Sequence, residues 1–401
     1  MDVLFIILYL IELVIYIYLG VAAVYVFIFA LAGIFPHKQK QAKSTKQRKF
    51  AVLIPGYKED AVIVDVAKDA LKQDYPQDSY EVIVIADSFS ADTLKKLREL
   101  AIRVVEVSFE VSTKSKALNK AMATIGDNYD VALVLDADNL MAPDFITKIN
   151  TAFDNGFSVV QGHRAAKNLN NSFAILDAIS EEVNNHIFRK GHRVLGFSSA
   201  LIGSGMAFDY GFFKETMSQV KAVGGFDKEL ELKLLKSGEK IEYVHDALVL
   251  DEKVQKSEVF ANQRKRWLSA QFVYFARYFF PGLYHLFFKG NFDFFDKVYQ
   301  MVSPPRILLL GLVGILTAVY TALWFLIPNF EFVKLSIIDW LPVFVLVVAA
   351  FLLSIPRKFY NAKTLVAVLT LPKAFFLMFI SLFKLKGANK KFIHTEHGVE
   401  N

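Results

Sequence analysis

Val131-Ala132-Leu133-Val134-Leu135-Asp136-Ala137-Asp138 is the stretch on which the fold turns. Five consecutive apolar residues read as a strand buried on both faces, as in a parallel sheet. The two carboxylates that follow are two residues apart, so in extended backbone both point to one side. In an open α/β sheet, ligands sit beyond the carboxyl ends of such strands. Two carboxylates there repel unless a cation lies between them. For oxygen ligands the usual hard cation is Mg2+ or Mn2+, which brings a diphosphate with it. The alternative is that the pair caps the next helix, since Pro143 soon follows.

Upstream, Ala51-Val52-Leu53-Ile54 is a strand that should stop at Pro55-Gly56. Val82-Ile83-Val84-Ile85 is a second, ending at Asp87, and Val104-Val105-Glu106-Val107 a third. Asp60 to Lys72 between them has helical spacing. This succession predicts a mostly parallel sheet with helices on both faces. The loops after Ile54, Ile85 and Leu135 then open on one edge, carrying Glu59, Asp87, Asp136 and Asp138. Acid at three strand ends suggests a pocket for a donor nucleotide. Lys114, in Lys114-Ser115-Lys116-Ala117-Leu118-Asn119, opens the helix before the fourth strand, where a lysine beside a helix N-terminus suits a diphosphate. A solvated first turn is the alternative.

Downstream, Phe157 to Gln161 reads as a strand and Asn170 to Arg189 as a long helix. Gly203-Ser204-Gly205 allows close backbone approach, to a sugar acceptor or within a plain turn. Gly224 to Glu231 leads into a helix ended by Gly238; Asp227 in its first turn is either a cap or a general base aimed at an acceptor hydroxyl. Gln263, Arg266 and Trp267 share one helical face, an arrangement that offers an arginine to a departing diphosphate and a sugar-stacking ring, or an ordinary membrane-interface cluster.

The 401 residues are 54% hydrophobic, with mean hydropathy +0.34. The apolar excess lies at the two ends, predicting a soluble domain between membrane segments. Residues 1–36 form one tilted transmembrane helix interrupted by Glu12, and the basic run from His37 to Lys49 places the next domain in the cytoplasm. Residues 48–256 are that domain, 257–303 interfacial helices, and 304–355 two further spans. Residues 362–385 read as an interfacial helix rather than a third such span, and 386–401 as a cytoplasmic tail. The net charge of +6 is distributed beside apolar runs, which fits an anionic inner or plasma-membrane leaflet rather than nucleic acid. The absence of cysteine excludes disulfides and thiolate metal sites.

Taken in this order, these residues resemble the membrane-integrated family 2 glycosyltransferases, which include cellulose, hyaluronan, chitin-oligosaccharide and poly-N-acetylglucosamine synthases and ceramide glucosyltransferase. Gln263-x-x-Arg266-Trp267 following Asp136-x-Asp138 carries most of the likeness. The resemblance implies a GT-A domain, Rossmann-like with a mostly parallel sheet. It implies a UDP-sugar donor contacted by Pro55, Tyr57, Glu59, Asp87, Lys114, Gln263 and Arg266, and a divalent metal on Asp138 with Asp136. Thr113 stands where the family has glycine before Lys-x-x-Ala-Leu-Asn. Asp227 matches the catalytic base when counted back from Gly238; Glu229 is the runner-up, at the cost of a two-residue deletion. Gly203, Ser204, Gly205 and Trp267 would meet the acceptor. Phe392-Ile393-His394-Thr395-Glu396-His397 resembles a gating loop in part, with Thr395 near the nucleotide. The expected activity is inverting transfer of a sugar to a membrane-associated glycan or lipid, with a processive β-linked polysaccharide synthase as the first expectation. Single transfer to a lipid, or an inactive partner subunit, are the alternatives.

Overall fold

A central sheet of eight strands organises the domain between the apolar helices. The computed structural model describes residues 3–37, 46–220, 224–253, 255, 257–327 and 334–385, and all structural statements concern these. The strands are β1 (Phe50–Tyr57), β2 (Tyr80–Asp87), β3 (Arg103–Val107), β4 (Val131–Val134), β5 (Leu140–Met141), β6 (Val159–Ala166), β7 (Met206–Asp209) and β8 (Ile241–Asp251). Their order is β3-β2-β1-β4-β7-β6-β8-β5. β7 is antiparallel to both neighbours and β5 to β8, while the other pairings are parallel. Six strands therefore run in one direction. This is the mixed, mainly parallel α/β architecture expected of a GT-A domain.

β1 lies at the centre of the parallel half, and Phe50 to Ile54 are fully buried. Its side chains alternate between two cores. Ala51 and Leu53 join a layer with α4 (Lys114–Ile125), α8 (Tyr210–Ser218) and α9 (Phe226–Lys236). Phe50, Val52 and Ile54 join one with α2 (Ile63–Ala70) and α5 (Phe145–Asp154), near α3 (Ala91–Arg98). The strand does not stop at Pro55-Gly56 but pairs with β2 as far as Tyr57 opposite Asp87. Leu53 offers its carbonyl to the β4 side, where Leu135 N–H donates at 3.0 Å. Pro55, two residues on, faces the same side, where β4 has already ended, so its missing N–H forfeits no ladder bond.

The long helix expected over 170–189 is α6 (Ser172–Asn184), widened into a π-helical turn at Asn185–Gly191 and closed by α7 (His192–Val194). That turn receives the end of α1 (Val3–Gly33). The His192 ring stacks on Phe29 with centroids 3.7 Å apart, and Tyr25 Oη donates to Asp296 Oδ1 at 2.7 Å. A Cβ at Gly191 would stand 2.1 Å from the Phe29 carbonyl, so only glycine permits this approach.

After the domain come α10 (Ser257–Lys289), which continues through Pro281, and α11 (Phe292–Val302). The remaining helices are α12 (Arg306–Leu326), α13 (Ile337–Ser354), α14 (Ala362–Val368) and α15 (Leu371–Leu382). α1, α12 and α13 are long and apolar enough to cross a membrane; α14 and α15 meet at 41° and add a fourth candidate if taken as one bent span. The three long helices share an apolar core that includes Ala22, Val26, Val313 and Val347. Glu12, the one acid in α1, is satisfied there: it accepts from Tyr320 Oη and from the backbone N–H of Lys334 at 3.1 Å and Leu335 at 3.2 Å.

Candidate active site

The carboxyl ends of β1, β2 and β4 meet at one edge of the sheet, because the register sets Leu53 beside Val134 and Tyr57 beside Asp87. Immediately beyond Tyr57 and Asp87 stand Lys58 (φ 56°) and Ser88 (φ 62°), the non-glycine residues with left-handed backbone among those described. Such conformations persist where surrounding contacts enforce them, and they cluster at ligand clamps. Here Lys58 N–H donates to the Asp87 carbonyl at 3.1 Å, and Asp60 Oδ1 accepts from Ser90 N–H at 2.9 Å and Oγ at 2.8 Å. Glu59 and Asp87 are buried in these loops.

Asp138 is buried: its Oδ1 accepts from Asn139 Nδ2 at 3.1 Å and its Oδ2 from Glu252 N–H at 3.2 Å. Asn139 also reaches Asp251 Oδ1 at 3.2 Å, so β8 delivers a third carboxylate to the same corner. Asp136 is more open and ion-paired: its Oδ1 meets Lys114 Nζ, and its Oδ2 lies 4.0 Å from Arg164. Lys114 also donates to the Gly203 carbonyl at 2.7 Å, so it ties α4, β4 and the glycine turn together rather than extending into an open cradle. No set of three or more histidine, aspartate or glutamate side chains with metal-binding geometry occurs among the described residues. Asp138 with Asp136 nevertheless fits a hard ion. Mg2+ and Mn2+ sites commonly use one or two protein carboxylates and take their other oxygens from phosphate and water.

Ser204, expected to meet an acceptor, is fully buried. Its Oγ accepts from the Asp136 backbone N–H at 2.9 Å and donates to Asn139 Oδ1. It therefore fixes the Asp-x-Asp turn from behind. Gln161, also buried, holds the same turn by donating to the carbonyls of Ser204 at 2.9 Å and Gly205 at 3.2 Å. Gly203 has φ 86°, and the Asp227 carboxylate lies 3.8 Å from where its Cβ would project. Asp227 is thereby joined to the Asp136 corner through one glycine and Lys114. Glu229 turns elsewhere: it is buried, with Oε1 3.6 Å from Arg277 of α10.

Beneath the carboxylates lies an ion network that sequence reading missed. Arg164 on β6 pairs with Glu181 at 3.0 Å and Asp251 at 3.6 Å, Lys253 with Asp251 at 2.7 Å, and Arg189 with Glu181 at 3.1 Å. Burial opposes charge on Asp251, but Arg164 and Lys253 outweigh it and hold its carboxyl below the ordinary range. Glu182, next along α6, meets His163 at 3.2 Å and Lys358 at 2.8 Å. Burial pushes this carboxyl up, yet His163 and Lys358 bring it down to about 2. Asp251 ends β8, Arg164 sits on β6 and Glu181 on α6, and it is the fold that brings them together, so no local pattern announced the network.

In α10 the residue between the expected contacts makes the strong interaction. Arg264 pairs with Asp177 of α6 and lies over the Trp267 ring, 4.4 Å from its centroid. Arg266 is partly buried, and burial lowers its pKa from the ordinary arginine value. The buried Gln263 Oε1 has no hydrogen-bond partner among the described residues. Thr395 and the segment 392–397 lie outside the described residues.

A doubly wound sheet with acidic groups and strained loops at its strand ends is a ligand-binding α/β domain. Residues 47–270, more than half the chain, match the model of "Glycosyltransferase like family 2", and the chain belongs to that family. The beta-monoglucosyldiacylglycerol synthase of Trichormus variabilis is 27% identical over 243 residues, covering 57% of this chain and 50% of that one. The probable glycosyltransferase YdaM of Bacillus subtilis is 27% identical over 280 residues, covering 60% and 64%. The chain thus spans 50% to 64% of the length of these curated relatives. Among solved structures, the mannosyltransferase PcManGT from Pyrobaculum calidifontis, in complex with GDP-Man and Mn2+, aligns with TM-score 0.47 and 15% identity over 83% of this chain and 98% of that one.

Proposed function

We propose that the chain transfers one sugar from a UDP-sugar to a lipid acceptor at the membrane surface, with inversion at the anomeric carbon. The observation that carries this reading is that the Asp227 carboxylate lies 3.8 Å from the Cβ position of Gly203, whose carbonyl also holds the lysine paired with Asp136. A base and a phosphate-binding corner then lie on opposite sides of one small space.

In this reading Pro55, Tyr57, Glu59 and Asp87 hold the nucleoside and Asp138, with Asp136, holds Mg2+ or Mn2+. A bound divalent ion neutralises charge on a diphosphate leaving group. Lys114 and Arg266 add positive charge beside that diphosphate. Gln263, whose buried oxygen has no partner among the described residues, turns it to the donor. Asp227 accepts the proton of the acceptor hydroxyl as its oxygen attacks the anomeric carbon from the face opposite the leaving group. The new C–O bond forms as the bond to the diphosphate breaks, so an α-linked donor yields a β-linked product. Arg264 packs Trp267 into a fixed wall for the acceptor.

The apolar core shared by α1, α12 and α13 favours a lipid acceptor over a growing polymer, since a threading passage calls for polar lining. The named function of the Trichormus relative points the same way. The basic residues after α1 favour a catalytic domain on the cytoplasmic side of the inner or plasma membrane. Incubating the membrane-reconstituted protein with labelled UDP-sugars tests this: a single glycolipid band is expected. A polymer ladder would establish a processive synthase instead, and failure to release UDP from any UDP-sugar tested would leave a non-catalytic subunit.

A further inference from the structure

The far end of α9 from Asp227 opens onto a cavity of about 650 Å3, bounded by the 195–197 loop, the 236–240 turn and the junction of α10 with α11. Lys236 is nine helical steps from Asp227, about 14 Å at helical rise, so the cavity is distinct from the candidate active site. Its charged lining is one-sided. Lys236, Lys240, Lys289 and His285 line it, with Asp293 as the acid. Asp293 is already engaged: it pairs with Lys240, and its oxygens accept from Ser198 N–H at 2.7 Å and Oγ at 3.2 Å. Lys236 and Lys289 have no ion pair among the described residues.

The cavity's other features belong to a membrane surface. Phe197 on its wall makes an edge contact with Phe29 of α1, centroids 5.7 Å apart, so the wall abuts an apolar helix of membrane-crossing length. Around the junction of α10 and α11, Phe287 and Phe288 are each 74% exposed and Phe292 62%. Three exposed aromatic rings on one helix junction are suited to acyl chains. Burial and the charges of Lys236 and Lys289 lower the His285 pKa, which agrees with an excess of positive charge.

We propose that this cavity binds the phosphate headgroup of an anionic phospholipid, with Lys236 and Lys289 as the charge contacts and Phe287, Phe288 and Phe292 against its acyl chains. The site seats the domain on the bilayer at a fixed distance from the reaction centre. A zwitterionic lipid carries the same phosphodiester together with a cation that the two lysines repel, so their excess positive charge favours an anionic lipid.

The full chain in phosphatidylcholine nanodiscs, doped with photoactivatable phosphatidylglycerol or photoactivatable phosphatidylcholine, tests this by peptide mapping of the cross-links. The phosphatidylglycerol probe is expected to label the peptide containing Phe287 to Phe292 about tenfold more than the phosphatidylcholine probe. Lys236→Gln with Lys289→Gln should abolish that preference, and Lys236→Arg with Lys289→Arg should keep it, with all three proteins melting alike. Equal labelling by both probes, or a preference that survives the glutamine pair, would overturn the proposal. Loss of labelling in excess inorganic phosphate would also overturn it, by marking a site for a soluble anion. The readout is labelling and is independent of turnover.

Discussion

The carboxylate of Asp227 lies 3.8 Å from the point at which a side chain on Gly203 would begin. Gly203 has left-handed backbone, and its carbonyl anchors Lys114. Gly203→Ala therefore combines backbone strain of ~1 kcal/mol with a methyl group in the space between base and donor. Turnover should fall about tenfold or more, while the affinity for UDP with Mn2+ changes little. Steady-state kinetics beside a binding titration check this; equal losses in both would point to general disruption.

Ser204 acts from behind the Asp-x-Asp turn. Removing its hydroxyl in Ser204→Ala leaves the Asp136 N–H and the Asn139 side chain without their buried partner. The expected cost is about 1–3 kcal/mol in stability, together with weaker Mn2+ activation. Thermal melts and metal titrations measure the two effects separately.

Arg189 is the inner member of the buried ion network. Arg189→Met leaves Glu181 with Arg164 alone and deprives Asn185 Oδ1 of a donor held at 2.6 Å. Breaking such a pair costs about 3–5 kcal/mol, and adding Glu181→Leu should recover part of it. A double-mutant cycle in urea gives the coupling.

Acid should act through Glu182. Its carboxyl titrates at about 2 in the fold, below its ordinary 4.5, because His163 and Lys358 outweigh the opposing effect of burial. The unfolded chain takes up the proton first as pH falls. Its contribution to stability is therefore complete above about pH 4.5 and lost towards about pH 2. Urea midpoints across that range should fall more steeply for the wild type than for Glu182→Gln.

The sequence reveals the parallel half of the sheet because β1, β2 and β4 are buried on both faces and read as apolar runs. It conceals β7, where Met206 to Asp209 follow directly on Gly203-Ser204-Gly205 and a turn signal masks four extended residues. β8 is hidden by its own irregularity: the register slips against β6 between Gly162 and His163, and His245 and Asp246 are exposed where an alternating pattern would bury one of them. Asp136, Asp138 and Asp227 are legible because they follow local punctuation: a strand end, or a helix start. The buried role of Ser204, the pairing of Arg264 and the network around Arg164 depend on tertiary proximity, which no local spacing encodes.

The central claim is that Asp138 binds a divalent ion together with a nucleotide diphosphate. Calorimetric titration of UDP into the wild type and Asp138→Asn, with and without Mn2+, tests it most directly. Mn2+ should tighten UDP binding to the wild type about tenfold or more, and should leave the variant's weak binding unchanged. Equal tightening in both proteins, or none in the wild type, would contradict the account.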